Sequence, residues 1–207
     1  MSGKKNWADE VAIDDFLNEM DVGYFSTVDS EGFPYTIPMN YLWYGGSVWL
    51  HTGMKGGKVS NLAQNPKVSF AVGEALSILT SDFTSSPCRD TQLGRSVLIR
   101  GLAREVKEPE RKLLALQKLI AKFDPGVWED PTDENLAPEA FMEQPSFQHC
   151  QVIEIEVKSL SGYKYILEGK PEKYRKTVAA YLQKRGQDRN SPRDIKTALL
   201  LNQTFES

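Results

Sequence analysis

The residues with the clearest chemical potential lie in the run His51-Thr52-Gly53-Met54-Lys55-Gly56-Gly57-Lys58. A glycine-lysine turn that opens a short helix offers an anion an ammonium group and several backbone N–H groups. Those first N–H groups lack partners inside the helix, and the helix dipole is positive there. The segment just before it carries eight of the chain's 21 aromatic residues, between Tyr24 and Trp49. An aromatic, half-buried sheet beside a phosphate-type loop points to a flat cofactor with a phosphate tail. The loop is not a P-loop: Val59 follows Lys58 where Ser or Thr is needed, and Thr52 stands where that motif has its first glycine. On the bare sequence, a hairpin-to-helix turn with a solvated lysine accounts for the run equally well.

His51 and Thr52 are neighbours on one strand, so alternation turns their side chains to opposite faces unless a bulge intervenes. His51 can position a substrate or donate a proton; it can equally be a hydrogen-bonded strand histidine. His149 reads as structural, and Cys88 reads as a loop cysteine with no base beside it. Trp43 and Trp49 read as core. Two histidines and two widely spaced cysteines, Cys88 and Cys150, argue against a zinc site and a disulfide framework and for a reducing cytoplasm.

The positioning elements follow from periodicity. Ala12, Ile13, Phe16, Leu17 and Met20 have helical spacing, with Asn6 a candidate N-cap. Strands are expected at 23–28, 34–44, 47–52 and 67–72, and a short helix at 58–64, stopped by Asn65-Pro66. Pro34 and Pro38 place part of the second strand at an edge or bulge. Residues 80–94 read as a long irregular connection, and 95–106 as a strand interrupted by Gly101. Pro109 opens a helix whose buried face is Leu113, Leu116, Ile120 and Phe123. Residues 124–148 read as an excursion with one helical turn at 138–143. Cys150–Val157 alternates as a strand, and two helices follow near 171–185 and 191–202. This order lacks βαβ repetition and predicts a small antiparallel barrel with helices around it.

At 207 residues the chain makes one domain, or one domain with an appendage. It contains no apolar run near the ~20 residues needed to span a bilayer, and its N-terminus lacks the apolar stretch of a secretory signal. Net charge is −3 but uneven: residues 164–207 carry ten basic and five acidic side chains, and residues 1–163 carry 15 and 23. A basic tail could meet nucleic acid or a membrane surface; a solvated helix pair explains it more simply, and the acidic body argues against nucleic acid.

The run from Pro34-Tyr35-Thr36-Ile37-Pro38-Met39-Asn40-Tyr41 through His51-Thr52, Gly57-Lys58 and Asn65-Pro66-Lys67-Val68-Ser69-Phe70 resembles the pyridoxamine 5′-phosphate oxidase-like FMN-binding split barrels, and among them the nitroimidazole-resistance (Nim) type. Gly94–Val106 resembles a second family strand. The resemblance spans roughly 9–160. It implies a six-stranded antiparallel split β-barrel with flanking helices, mainly β (α+β), over residues 1–162, with 163–207 a basic helical extension. It implies FMN at the interface of a homodimer, with hydride or electron transfer to a small-molecule acceptor. Carried over, Lys58 pairs with the FMN phosphate, Thr52 adds a hydroxyl, and Gly57 admits close backbone approach. The strand Pro38, Met39, Asn40, Tyr41 runs along the isoalloxazine edge. Ser96 reaches the cofactor from the other subunit, Arg95 faces the cofactor, a substrate anion or an interface carboxylate, and His51 lies close to the flavin. The arginine of pyridoxamine phosphate oxidase proper is replaced here by Tyr35 or Thr36, and its C-terminal Trp and Arg have no counterpart, which argues against vitamin B6 oxidation. A flavin-binding redox carrier or sensor, or a split barrel using deazaflavin or haem, are the alternatives.

Overall fold

The computed structural model describes residues 6–128 and 137–204. Part of the 124–148 excursion therefore lies outside the described residues; its expected helical turn coincides with the helix Pro138–Glu143. In chain order the elements are β1 (Asn6–Trp7), α1 (Glu10–Glu19), β2 (Val22–Val28), β3 (Pro34–Asn40), β4 (Leu42–Tyr44), β5 (Ser47–Gly53), α2 (Gly57–Gln64), β6 (Lys67–Leu79) and α3 (Ser81–Thr84). A 3-10 turn at Pro87–Arg89 follows, then β7 (Thr91–Glu105), α4 (Pro109–Phe123), α5 (Pro138–Glu143), α6 (Pro145–Gln148), β8 (Cys150–Tyr165), α7 (Glu172–Asp188) and α8 (Pro192–Gln203).

The strands form one antiparallel sheet in the order β3-β2-β6-β7-β8-β5-β4, with β1 paired to β8. This is the expected split-barrel class, with seven strands on the path rather than six. The difference has a local cause. The segment 34–44, read as one strand, breaks at Tyr41, whose ring turns fully into the core, so β3 and β4 pair with different neighbours, β2 and β5. The N-cap of α1 is Asp9 rather than Asn6: the Asp9 carboxylate accepts from the Ala12 N–H at 3.1 Å, and Asn6 belongs to β1. Gly101 does not interrupt β7. A Cβ there would stand 2.4 Å from the Glu156 carbonyl oxygen, so glycine is what admits β8 so closely.

The chain divides into two compact units. The first comprises Asp9–Val72 and Leu98–Ser161. Phe16, Leu17, Phe25, Leu50, Phe70 and Ile153 are fully buried in it, each contributing roughly 1.5–3 kcal/mol through apolar burial. On α4, Leu113 and Leu116 are buried as expected, but Ala115 and Leu119 complete that face, while Ile120 and Phe123 line a cavity instead. The second unit comprises residues 6–8, 73–97 and 162–204. Its core joins Leu76, Leu79 and Leu93 to Val178, Leu182 and Leu201 of α7 and α8.

Candidate functional site

The anion-binding expectation rests on backbone geometry at the start of α2. Gly56, its N-cap, adopts φ 123° and ψ 168°, a conformation open essentially to glycine alone. Its carbonyl accepts from the N–H groups of Val59 and Ser60. The N–H groups of Gly57 and Lys58 precede those bonds and have no partner among the described residues, and neither does the Lys58 ammonium. Two N–H groups and the Lys58 ammonium are thus without partners among the described residues at a dipole-positive helix start that has no capping side chain. A Cβ on Gly57 would meet the Tyr35 ring at 3.4 Å, so the Tyr35 phenol stands beside this turn.

What holds α2 in place was not legible in the sequence. Asn61 is the buried residue of this helix. Its amide donates to Thr27 Oγ1 at 2.9 Å, and the Thr27 hydroxyl donates to the Tyr35 carbonyl at 3.5 Å. A polar chain therefore ties the helix to β2 and β3. Asn61→Ala leaves the Thr27 hydroxyl buried without that donor and is expected to cost about 1–3 kcal/mol. Urea unfolding of the variant checks this, and an unchanged midpoint would remove Asn61 as the anchor.

The second group of expected residues lies on β3 and β5. In β3, Pro38 opposes Tyr24, Met39 opposes Gly23 and Asn40 opposes Val22. Since β3 ends the strand order, its outer edge has no strand partner among the described residues. Asn40 donates to the Asp21 carbonyl at 3.2 Å. Tyr41 departs from this edge: its hydroxyl donates to the Leu17 carbonyl at 2.6 Å, and its ring packs edge-on to Phe70 at 5.0 Å. Burial, reinforced by the Asp21 charge, pushes the phenol pKa well up, so it stays a neutral donor. Lys122 from α4 binds the Met20 carbonyl at 2.6 Å and the Tyr41 carbonyl at 3.2 Å, with its ammonium 4.3 Å from the Tyr41 ring centroid. Half-burial lowers the Lys122 pKa, opposed by Asp21. Tyr41 is thus engaged at its hydroxyl, its ring and its carbonyl.

In β5, His51 is exposed and opposes Val152, while Thr52 is buried and opposes Gln151, so the two face opposite ways as alternation requires. His51 and Asn40 are brought together on the lining of a cavity of about 450 Å³, walled largely by Leu116, Leu119 and Phe123 of α4 and by Phe141 and Phe147. Cys150 lines it too; burial raises its thiol pKa against the opposing pull of Lys112, which keeps it protonated. Cys88 is exposed and free. This cavity was missed from sequence because α4 meets α5 and α6 only in the fold.

Arg95 and Ser96 lie on β7 in the other unit. Arg95 Nε donates to Glu74 Oε2 at 2.7 Å, with both side chains largely buried, and Lys196 also pairs with Glu74. Arg95 thus has a carboxylate partner within its own chain. Ser96 is half-buried beside Gly73.

Residues 9–164 match the sequence pattern described as pyridoxamine 5′-phosphate oxidase. The chain belongs to this family. No curated protein matches the chain. Among solved structures, it is similar to a protein described as a candidate 5-nitroimidazole antibiotic resistance protein from Bacteroides thetaiotaomicron, at 21% identity and TM-score 0.59, covering 76% of this chain and 84% of that one. It is similar to the flavocytochrome Anf3 from Azotobacter vinelandii at 16% identity and TM-score 0.63, covering 78% and 69%. It is also similar to an FAD and heme binding protein from Mycobacterium smegmatis, at 17% identity and TM-score 0.62, covering 81% and 76%. At these identities the likeness establishes the fold. The oxidase-family match ends at Asp9 and Lys164, so Tyr165 onward lies outside it. Among the described residues of this oxidase-family member, no helix is long and apolar enough to cross a membrane.

Proposed function

We propose that this protein is an FMN-dependent oxidoreductase of the Nim type, acting in the cytoplasm as a homodimer with cofactor at the subunit interface. The observation that carries the reading is the turn before α2: Gly56 in a glycine-only conformation, free N–H groups on Gly57 and Lys58, and an unpartnered Lys58 ammonium. A phosphate monoester is a dianion that wants such charge-assisted donors. FMN ends in one. When bound, the flavin supplies hydride or electron transfer.

The chain's own residues bind and orient. Lys58 and the two N–H groups hold the phosphate, and Gly57 lets the backbone approach it; Thr52 supplies a hydroxyl. The outer edge of β3 at Pro38, Met39 and Asn40 offers main-chain groups to a planar ring, with Tyr41 fixing where that strand ends. Ser96 serves the cofactor of the other subunit. His51 presents an imidazole to the 450 Å³ cavity, whose apolar wall excludes water from a small-molecule acceptor and whose Asn40 orients it. That cavity favours turnover over a carrier role, since a carrier needs no substrate pocket.

The test is the visible spectrum of purified protein before and after FMN addition and removal of excess. Retained bands near ~370 and ~450 nm, as for protein-bound flavin generally, support the reading, and their bleaching by a nicotinamide donor supports turnover. A protein that refuses FMN and takes up deazaflavin or haem overturns it.

A further inference from the structure

We infer that a second cavity, between the 79–91 segment and the start of α7, is a binding site for a small aromatic anion. It lies wholly within the unit formed by residues 6–8, 73–97 and 162–204, and its volume is about 660 Å³, within the range of small-molecule pockets. Its apolar surface comes from Leu79, Phe83, Leu167 and Tyr174, with the Phe83 and Tyr174 rings edge-on at 6.1 Å. That surface suits a flat, apolar body.

The charges that line it are of one sign. Arg89, at the end of the 3-10 turn, and Lys170, in the turn after β8, both line the cavity, and none of its lining residues carries a carboxylate. Neither side chain has a hydrogen-bond or ion-pair partner among the described residues. Several other cations of this unit are engaged, Arg95 and Lys196 with Glu74, Arg185 with Asp194, and Arg189 with Asp82. Of the acidic side chains flanking the cavity, Glu172 is engaged by Lys176 and Glu168 by the Ile166 N–H at 2.7 Å, while Asp90, between Arg89 and Thr91, is exposed and off the lining. Two cations without partners among the described residues, on a partly aromatic lining that carries no carboxylate, select a negatively charged ligand with a planar body.

The backbone is shaped to put Lys170 there. Leu167 is buried on the wall at φ 68°, a left-handed conformation that a leucine rarely adopts. Its carbonyl accepts from the Lys170 N–H at 3.0 Å, closing the turn that carries the lysine to the cavity. This wall, from Tyr165 to Thr177, lies beyond the residues matched by the family pattern. The site is therefore built by this extension against residues 79–91, and none of its lining residues is one assigned to the flavin.

The probe is 1-naphthoate, titrated calorimetrically into the full-length protein, with 1-naphthalenemethanol as its uncharged counterpart. Saturable binding of one naphthoate per chain is expected. It should weaken about tenfold or more in the Arg89→Gln/Lys170→Gln variant, the scale of losing charge-assisted hydrogen bonds, and the alcohol should bind comparably weakly to wild type. Both positions are exposed, so melting temperature and FMN content should not change. Thr177→Trp, which fills the cavity from α7, should abolish binding. Absence of saturable binding overturns the inference, as do equal affinities for naphthoate and the alcohol, an unaffected double variant, or full binding by Thr177→Trp.

Discussion

Lys58→Ala is expected to weaken FMN binding by about 1.5–3 kcal/mol, the size of a hydrogen bond to a charged group, which raises Kd roughly ten- to hundred-fold. The ammonium has no other partner among the described residues, so its removal breaks nothing in the protein and its loss is read in the ligand alone. Riboflavin, which lacks the phosphate, separates the two ways the variant could act. Its affinity should be the same for wild type and variant. Equal losses for FMN and riboflavin would mean that the turn has rearranged, and unchanged FMN affinity would remove Lys58 from the site. Lys58→Arg should retain much of the binding, since it keeps the charge, though a guanidinium fork donates from a different place. The effect should shrink with added salt in proportion to the exposure of the phosphate.

Asp194→Ala is expected to destabilise the protein by about 3–5 kcal/mol, because it leaves a buried guanidinium without its counter-charge. Arg185 donates from Nε and Nη2 to the two oxygens of Asp194, both at 2.7 Å, with each side chain only 8% exposed. Its remaining donors reach the Ile78 carbonyl, Thr80 Oγ1 and the Tyr181 hydroxyl. Asp194 also accepts from Ser77 Oγ at 2.5 Å, and Thr197 Oγ1 accepts from the Ser77 N–H at 3.0 Å. One network therefore fastens α7 and α8 to β6. Replacing both charges with apolar residues of similar size, as in Arg185→Met/Asp194→Leu, should cost less than Asp194→Ala, since no lone charge is left. Urea unfolding followed by circular dichroism measures each.

The same pair sets a pH dependence. Hydrogen bonding to Arg185, then to Ser77, holds the Asp194 pKa below the usual carboxylate value against the opposing effect of burial, and the pair raises that of Arg185. A depressed folded pKa means that the stabilisation is complete above the unfolded aspartate value near ~3.9 and is lost as pH falls through the lower folded value. Wild type should therefore lose stability faster than Asp194→Asn on acidification below about pH 4. Parallel acid profiles would show that the pair does not govern this window.

Much of the sheet could be read along the chain because local rules suffice for it. Alternation places Ile153 and Ile155 inward, Asn65-Pro66 stops α2, and Gly45-Gly46, both at positive φ, turns β4 into β5. The Gly-Gly-Lys turn is equally local: a glycine-only conformation and a lysine one residue into a helix are chemistry of adjacent residues. Where reasoning along the chain fell short, the decisive partner was distant. The inward turn of Tyr41 depends on Leu17 and Lys122, 24 and 81 residues away. The anchoring of α2 depends on Thr27, 34 residues before Asn61.

By itself, then, the sequence determined the family, the antiparallel class and the glycine-opened start of α2, since motif spacing, side-chain period and glycine conformation are properties of neighbours in the chain. Only the tertiary structure decided that Arg95 is held by Glu74, that His51 and Asn40 share an apolar cavity with α4, and that Arg185 and Asp194 bind the tail helices to β6. Each of these is a pairing of side chains remote in sequence. Charge and apolarity declare that such groups need partners, but the choice of partner is made by packing.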